Sequence, residues 1–396
     1  MIEELKLTNW KSYGDSTLYI EPLTFIIGFN ASGKSNILDA LSFLSNISKG
    51  IYIDDAVRDI RGGEEWLIRA GASTTTLEVK IHDDNIEIDY YYEIEIGRNG
   101  SKFEVCREKL VRKTSKSTIS LLDTDERKAT ESKLLPLTSY TGKQGRRKIG
   151  GVFRDRMPLF QISSQNVKSE VKDGVAFVID KLRNIFVLNP ISSFMRNYAP
   201  LQKELKGDAS NIAGVIADLD DNDRVALQDR IADFVRNLPE RDIVKIWTEK
   251  VGIFGKDAMM YCKEKWTDNN ELILDARGMS DGTLRFIAIV TALLTLPKNT
   301  LLLIEEVDNG LHPSRATELI TALKEIGEER TVDVICTTHN PYLIDALGTD
   351  LISCISYVKR NETDGNSIIC LLDENENLFN LMASGSIGRS MAKGRI

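Results

Sequence analysis

The amino-acid sequence predicts an α/β fold in which a largely parallel sheet is assembled from both ends of the chain, around a large insertion. Two observations carry this. Near the N-terminus the apolar run Leu23–Ile27 leads into GFNASGKSN (28–36). Ile37, Leu38, Leu41, Phe43 and Leu44 then recur at helical spacing, so the glycine-rich stretch is a strand–loop–helix junction. Near the other end come a helix from about Thr283, the apolar strand LLLIEE (301–306), a helix after Pro313 and the strand VDVICTT (332–338). Strands alternating with helices indicate parallel pairing.

Composition narrows the class. The chain has 396 residues, 42% apolar and 28% charged, with a formal net charge of −8. That fits a folded globular protein and argues against a generally basic nucleic-acid coat protein. The five cysteines are scattered, without a CxxC pair. Neither a zinc site nor a disulfide framework is expected; free thiols in a reducing compartment are. No leader or membrane-spanning run is read, so the expected location is the cytoplasm.

The elements follow in order. IEELKLTN (2–9) alternates as a half-buried strand, and a second strand near Ser16–Ile20 ends at the turn Glu21-Pro22. Leu23–Ile27 is apolar throughout, as a strand buried on both faces is. Residues 75–110 alternate as antiparallel hairpins around Arg98-Asn99-Gly100. From 112 to 150 the chain is polar and rich in Ser, Thr and Gly, which predicts an exposed, weakly structured excursion. VAFVIDKLRNI, NIAGVIADL and VALQDRIADFVRNL have helical spacing, and strand-like pieces return at 257–275. One head is thus expected, parsed as a phosphate-loop lobe with antiparallel strands (1–110), a polar and basic excursion (111–170) and a helical lobe with returning strands (171–275). The later motifs (276–350) and C-terminal strands with a tail (351–396) complete it. The tail, NLFNLMASGSIGRSMAKGRI, reads equally as a docking segment or a frayed end.

Four motifs bear chemistry. Gly28-x-x-x-x-Gly33-Lys34-Ser35 fits the P-loop pattern. Its backbone N–H groups and the helix N-terminus cradle phosphates, Lys34 reaches the outer phosphates, and the Ser35 hydroxyl suits Mg²⁺. Glu305 and Glu306 stand at the C-terminal edge of a buried strand, the edge where such sheets bind ligands. Glu305 is placed for the Mg²⁺ hydration shell, Glu306 to polarise an attacking water; solvated strand-capping carboxylates are the plainer alternative. Ser280-Asp281-Gly282 opens a helix, either as a second anion cradle or as an ordinary N-cap turn. His339 ends a strand, where it suits a γ-phosphate or a purely structural bond.

The order of these motifs resembles that of the ABC-type ATPase head, in its SMC/RecF-like branch. The nearer resemblance is to the bacterial AAA-family ATPases related to the OLD proteins, the AAA_21 group, with their Septu, PARIS and retron-associated defence relatives. It rests on LKLTNWKSYGD, GFNASGKSNILDAL, RNIFVLNPISSFMR, GDASNIAGVIADL, MSDGTLRFIAI, LLLIEEVDNGLHPSR and TTHNPYLIDAL. The resemblance implies a mixed central sheet, an antiparallel sub-sheet and a helical insertion subdomain. It implies Mg-ATP held by Gly28, Asn30, Gly33, Lys34, Ser35 and Asn36, with Lys11 close by. Ser280 and Gly282 become the signature that contacts ATP on a second copy, Asp308-Asn309-Gly310 the D-loop, and His339 the switch histidine. His312 looks structural.

Three departures stand out. Ala31 replaces a glycine frequent in relatives, which is expected to be tolerated through a negative φ. The sequence does not single out the Q-loop glutamine; Gln161 and Gln165 are candidates for it. Val307-Asp308 replaces Pro-Glu. About 57 residues follow His339, too few for a Toprim nuclease. The implied function is therefore an ATPase that dimerises head to tail around ATP and controls a separate effector, a nuclease or toxin, in anti-phage defence. The alternative is a RecF/SMC-like DNA-maintenance clamp, for which Lys143–Lys148 is the candidate DNA or RNA contact; a transporter subunit fits poorly. No membrane contact is expected.

Overall fold

The computed structural model describes residues 1–124, 134–142, 145–162, 165–236, 238, 243–267, 270–374 and 386–392. The chain forms two compact units, each built from separate segments. The first comprises Met1–Glu21, Ile26–Ile185 and Ser356–Leu372; the second Pro22–Phe25, Phe186–Ile355 and Asp373–Ile396.

In the first unit an eight-stranded sheet has the order β2 (Asp15–Tyr19), β1 (Ile2–Thr8), β4 (Thr74–Asp83), β5 (Ile88–Asn99), β6 (Lys102–Lys113), β7 (Thr118–Thr124), β8 (Leu134–Tyr140), β9 (Arg146–Phe153). Each neighbouring pair is antiparallel. β4 alternates intermediate and buried along its whole length, the two-residue period of a sheet with one covered face. Where an excursion is expected at 112–150, the described residues form strands: β7, β8 and β9 extend the meander, while 125–133 lie outside the described residues. β8 alternates with its buried side carrying Leu135, Leu137 and Ser139, while β7 buries Leu121, Leu122 and Thr124 and β9 buries Val152 alone and leaves its charged start exposed. Arg146–Lys148 begin the edge strand β9, where charge discourages pairing with another chain; Lys143 and Gln144 lie outside the described residues.

The helices of this unit are α1 (Lys34–Ser48), α2 (Ile53–Asp59), α3 (Gly63–Trp66), α4 (Pro158–Gln161) and α5 (Ser169–Arg183). α1 buries Ile37, Leu38, Leu41, Phe43 and Leu44, the residues whose spacing predicts it. Phe43 meets the buried Trp10 ring at 5.7 Å. The second half of β3 (Leu23–Gly28) runs beside β17 (Ile355–Arg360), which pairs antiparallel with β18 (Ser367–Leu371).

In the second unit the order is β10 (Ile185–Leu188), β15 (Leu301–Ile304), β16 (Asp333–Thr338), then the start of β3. β15 and β16 are parallel, Leu301 opposite Asp333 through Ile304 opposite Cys336. All four residues of β15 are buried. A second antiparallel sheet holds β11 (Ala199–Pro200), β12 (Ile243–Val251), β13 (Asp257–Thr267) and β14 (Asn270–Asp275). Around these lie α6 (Ser192–Met195), α7 (Ile212–Asp218), α8 (Asp221–Arg236), α9 (Asp281–Thr295), α10 (Ala316–Arg330), α11 (Pro341–Ala346) and α12 (Ile387–Ala392). α9 is buried on nearly every side, as a helix apolar all round must be. Among the described residues no helix is long and apolar enough to cross a membrane.

Candidate functional site

The glycine-rich loop of the first unit is held open by specific bonds. Gly33 caps α1 at φ 118°, a conformation that side chains rarely adopt. A Cβ there would stand 2.5 Å from Ser367 Oγ, so size and backbone both require glycine. Lys34 is buried, and its Nζ donates to the carbonyls of Gly28 (2.7 Å) and Phe29 (2.9 Å). The ammonium is thus kept inside the loop, against its carbonyls. No side chain caps α1 and no acidic residue lies in its first turn, which leaves a positive dipole end facing the loop.

Residues outside the motif brace it. Tyr13 Oη donates to Gly33 O at 3.0 Å, and Trp10 Nε1 to Asn36 O at 2.8 Å. Asn36 Nδ2 donates to Ser12 Oγ (2.8 Å), which lies 2.8 Å from Ser367 Oγ. Ser367 Oγ in turn donates to Ser32 O. Asn36 therefore supports the loop from beneath, while Asn30 sits exposed near its crest. Arg360 Nε reaches Ala31 O at 3.2 Å. Ala31 itself has φ 62°, not the negative value expected; the loop keeps the left-handed turn that glycine makes without strain, and the methyl is carried in it.

Lys11 is held against α1. Its Nζ bonds Asp39 Oδ2 (2.5 Å) and Arg61 O (2.6 Å). Burial pulls its pKa down, opposed by the bond to Asp39. Arg61 grips the other oxygen of Asp39 at 2.9 Å and donates to Ser35 O at 3.0 Å. Sequence reasoning passed over Arg61, because no motif surrounds it. Gln161 uses its amide on both backbone groups of Phe153, each at 2.8 Å, which ties α4 to the end of β9. Gln165 takes part through its backbone, its N–H donating to Ile162 O at 2.8 Å and its carbonyl accepting from Val167 N at 3.1 Å.

The second unit carries the carboxylates. Glu306 follows β15 with φ 45°, a strained value for a non-glycine residue. The turn is fixed on both sides. Glu306 N donates to Thr337 Oγ1 (2.9 Å), Val307 N to Thr337 O (3.1 Å) and Asn309 N to Glu306 O (2.8 Å). Thr338 Oγ1 donates to Asp308 Oδ1 at 2.6 Å and accepts Asn340 N at 3.0 Å. His339 Nδ1 stands 3.7 Å from Glu306 Oε1. These side chains open on a cavity of about 310 Å³ lined also by Asn309, Gly310 and Pro341. Arg285, whose charge burial disfavours, anchors Pro190 O at 2.9 Å beneath the turn.

Ser280 caps α9, its Oγ accepting Thr283 N at 3.1 Å. A Cβ on Gly282 would come 2.5 Å from Gly310 O, so the turn Ser280–Gly282 lies directly on the turn Asp308–Gly310. Arg196 holds Asp281 Oδ1 at 2.7 Å and Met279 O at 2.8 Å. The structure thus places Ser280, Gly282, Glu306, Asp308 and His339 within one unit, and Gly28–Asn36 with Lys11 within the other. His312 caps a short 3-10 turn through Nδ1.

Residues 23–345 match the family model AAA_21, described as "AAA domain, putative AbiEii toxin, Type IV TA system". The chain belongs to this family of P-loop ATPases. Curated relatives named DNA replication and repair protein RecF match a shorter stretch. That of Arthrobacter sp. (strain FB24) is 36% identical over 86 residues, and that of Pseudarthrobacter chlorophenolicus 33% over 86. Each match spans 20% of this chain and 21% of the relative. The crystal structure of an SMC head bound to the C-winged helix domain of ScpA aligns over 93% of this chain and 96% of its own, with TM-score 0.55 and 17% identity. The AAA_21 chain therefore has the SMC-head fold.

An AAA_21 ATPase implies a nucleotide and Mg²⁺. The loop suits phosphate: α1 offers an uncapped N-terminus, Gly33 leaves no room for a side chain, and Lys34 lies buried within the loop. Among the described residues no cluster of His, Cys, Asp and Glu could hold a metal alone. Mg²⁺ takes few protein oxygens and draws the rest from phosphate and water; the Ser35 hydroxyl in the first unit and the Glu305 carboxylate in the second are each oxygen donors.

Proposed function

We propose that this chain binds Mg-ATP and hydrolyses it to ADP and phosphate, closing head to tail with a second copy around the nucleotide. The observation that carries this is the strained, doubly held turn at Glu306, with His339 beside its carboxylate. Bound Mg-ATP would supply the phosphoanhydride and the charge-neutralising cation. Lys34 moves from the Gly28 and Phe29 carbonyls to the outer phosphates, exchanging neutral acceptors for charged ones. Ser35 and Glu305 provide oxygen donors toward the cation. Glu306 accepts a hydrogen bond from the attacking water, and His339 donates one to the γ-phosphate. Ser280 and Gly282 of a second copy complete the cradle. ATP favours the closed pair because only that state offers both cradles.

The proposed role is the ATPase sensor or scaffold of a bacterial anti-phage system, acting on a separate nuclease or toxin. The family description, with its putative toxin and toxin–antitoxin system, supports this. A RecF-like DNA-maintenance role is the second reading, favoured by the 86-residue RecF match. One experiment separates them. Phage plating is measured on cells carrying the gene with its neighbours, for wild type and Lys34→Ala, beside the salt dependence of DNA binding by the purified protein. Protection lost in Lys34→Ala sustains the defence role. No protection by the wild type, with steeply salt-dependent DNA binding that falls in an Arg146→Ala/Arg147→Ala variant, sustains the RecF-like one.

A further inference from the structure

The loop bearing His339 is gripped from two sides. Inside, Thr338 ties it to Asp308, and Asn340 Oδ1 accepts Tyr342 N at 3.0 Å to cap α11. Outside, the chain returns as α12 and lies on α11. Gly388 is the contact point: a Cβ there would overlap the Pro341 carbonyl, so the two backbones touch without a side chain between them. Gly388 N donates to Asp345 Oδ1 at 2.7 Å, one turn along α11. Ser390 and Met391 are buried. Ser386 Oγ accepts Arg389 N at 3.0 Å, which starts α12 at a fixed place.

Pro341 is two residues beyond His339 and lines the same cavity. Its fixed φ at the first position of α11 makes the loop a stiff link. A displacement of α11 therefore reaches His339 directly. We propose that α12 is a positioning clamp for His339, with Gly388 and Asp345 as its two jaws. Docking of α12 sets where α11 begins, and so sets the imidazole against Glu306. The catalytic consequence rests on the role proposed above for His339; the mechanical coupling does not.

The test uses the full chain without nucleotide, labelled with ¹⁵N-histidine. Only three histidines exist, so each ring is resolved by substitution. In Gly388→Ala and Asp345→Ala the His339 ring resonances shift or broaden, while those of His82 and His312 stay. Asp345→Asn keeps an acceptor for Gly388 N–H and restores the wild-type spectrum. In ATP turnover, kcat falls about 10- to 100-fold with KM nearly unchanged, the effect of a misplaced group. Unmoved His339 resonances in both variants, with faster proteolysis at Arg389 proving that α12 has come away, overturn the clamp. Shifted resonances with unchanged kcat sustain the clamp and instead remove His339 from catalysis.

Discussion

His339 Nδ1 lies 3.7 Å from Glu306 Oε1, across a cavity floored by a backbone turn that no unstrained residue would choose. The two side chains are each nearly half exposed, so the pair is open to solvent instead of being sealed by the fold. Replacing Glu306 by Gln keeps the shape and removes the carboxylate that the proposed function sets against the attacking water. ATP binding persists, while steady-state phosphate release falls roughly 10²- to 10⁴-fold. Light scattering with ATP detects the accumulated dimer. Undiminished phosphate release would remove Glu306 from the role of base.

Ala31 offers a test of the loop itself. At φ 62° its methyl opposes the backbone, and glycine relieves that strain by up to about 1 kcal/mol, less glycine's own loss of freedom. Ala31→Gly is expected to melt at or slightly above the wild-type temperature in scanning calorimetry. A fall of several degrees would mean that the methyl makes a contact worth more than the strain.

Ser367 anchors the same loop from β18. Ser367→Ala removes the donor to Ser32 O and the link to Ser12, a loss of about 1 kcal/mol. Fluorescent-nucleotide titration should show weaker binding, with secondary structure unchanged by circular dichroism. Equal affinity would show that the P-loop needs no outside brace.

Glu108 supplies a pH signature in the first unit. It is buried on β6, bonded to Tyr92 Oη at 2.8 Å and Leu159 N at 2.6 Å, and burial pushes its pKa up to about 8. The folded state thus holds a proton that the unfolded chain releases near the ordinary carboxyl value. Its stabilising contribution is full below that value and is lost as pH rises toward about 8, at no more than about 1.4 kcal/mol per pH unit. Glu108→Gln, neutral at every pH, should flatten the melting temperature between pH 5 and 8 (roughly that window). An unchanged pH profile would show that Glu108 is ionised in the folded protein.

Much of this was legible because the chemistry sits in contiguous words. GFNASGKSN and LLLIEE each lie on one strand end, so local pattern sufficed to place them. Their supports were not legible. Ser367 braces Ser32 from 335 positions away, and Arg61 reaches Asp39 and Ser35 from a loop without a motif. The strands β7–β9 were hidden because an edge with one wet face carries Ser, Thr and Arg, the residues of a loop. Ala31 misled because its residue type argues for a negative φ, and the loop's turn overrides it. Of the tail, only residues 386–392 are described; there Gly388 packs against Pro341, a contact between two backbones that no sequence pattern marks.

The brace from Ser367 has a consequence during synthesis. The ribosome delivers Gly28–Ser35 early, but the hydroxyl that steadies Ser32 belongs to a strand made more than 300 residues later. Through most of translation the nascent loop lacks β17 and β18 beside it. Nucleotide affinity should therefore arise late and abruptly, when the last strand closes on the first, and stalled chains shorter than that point should ignore ATP.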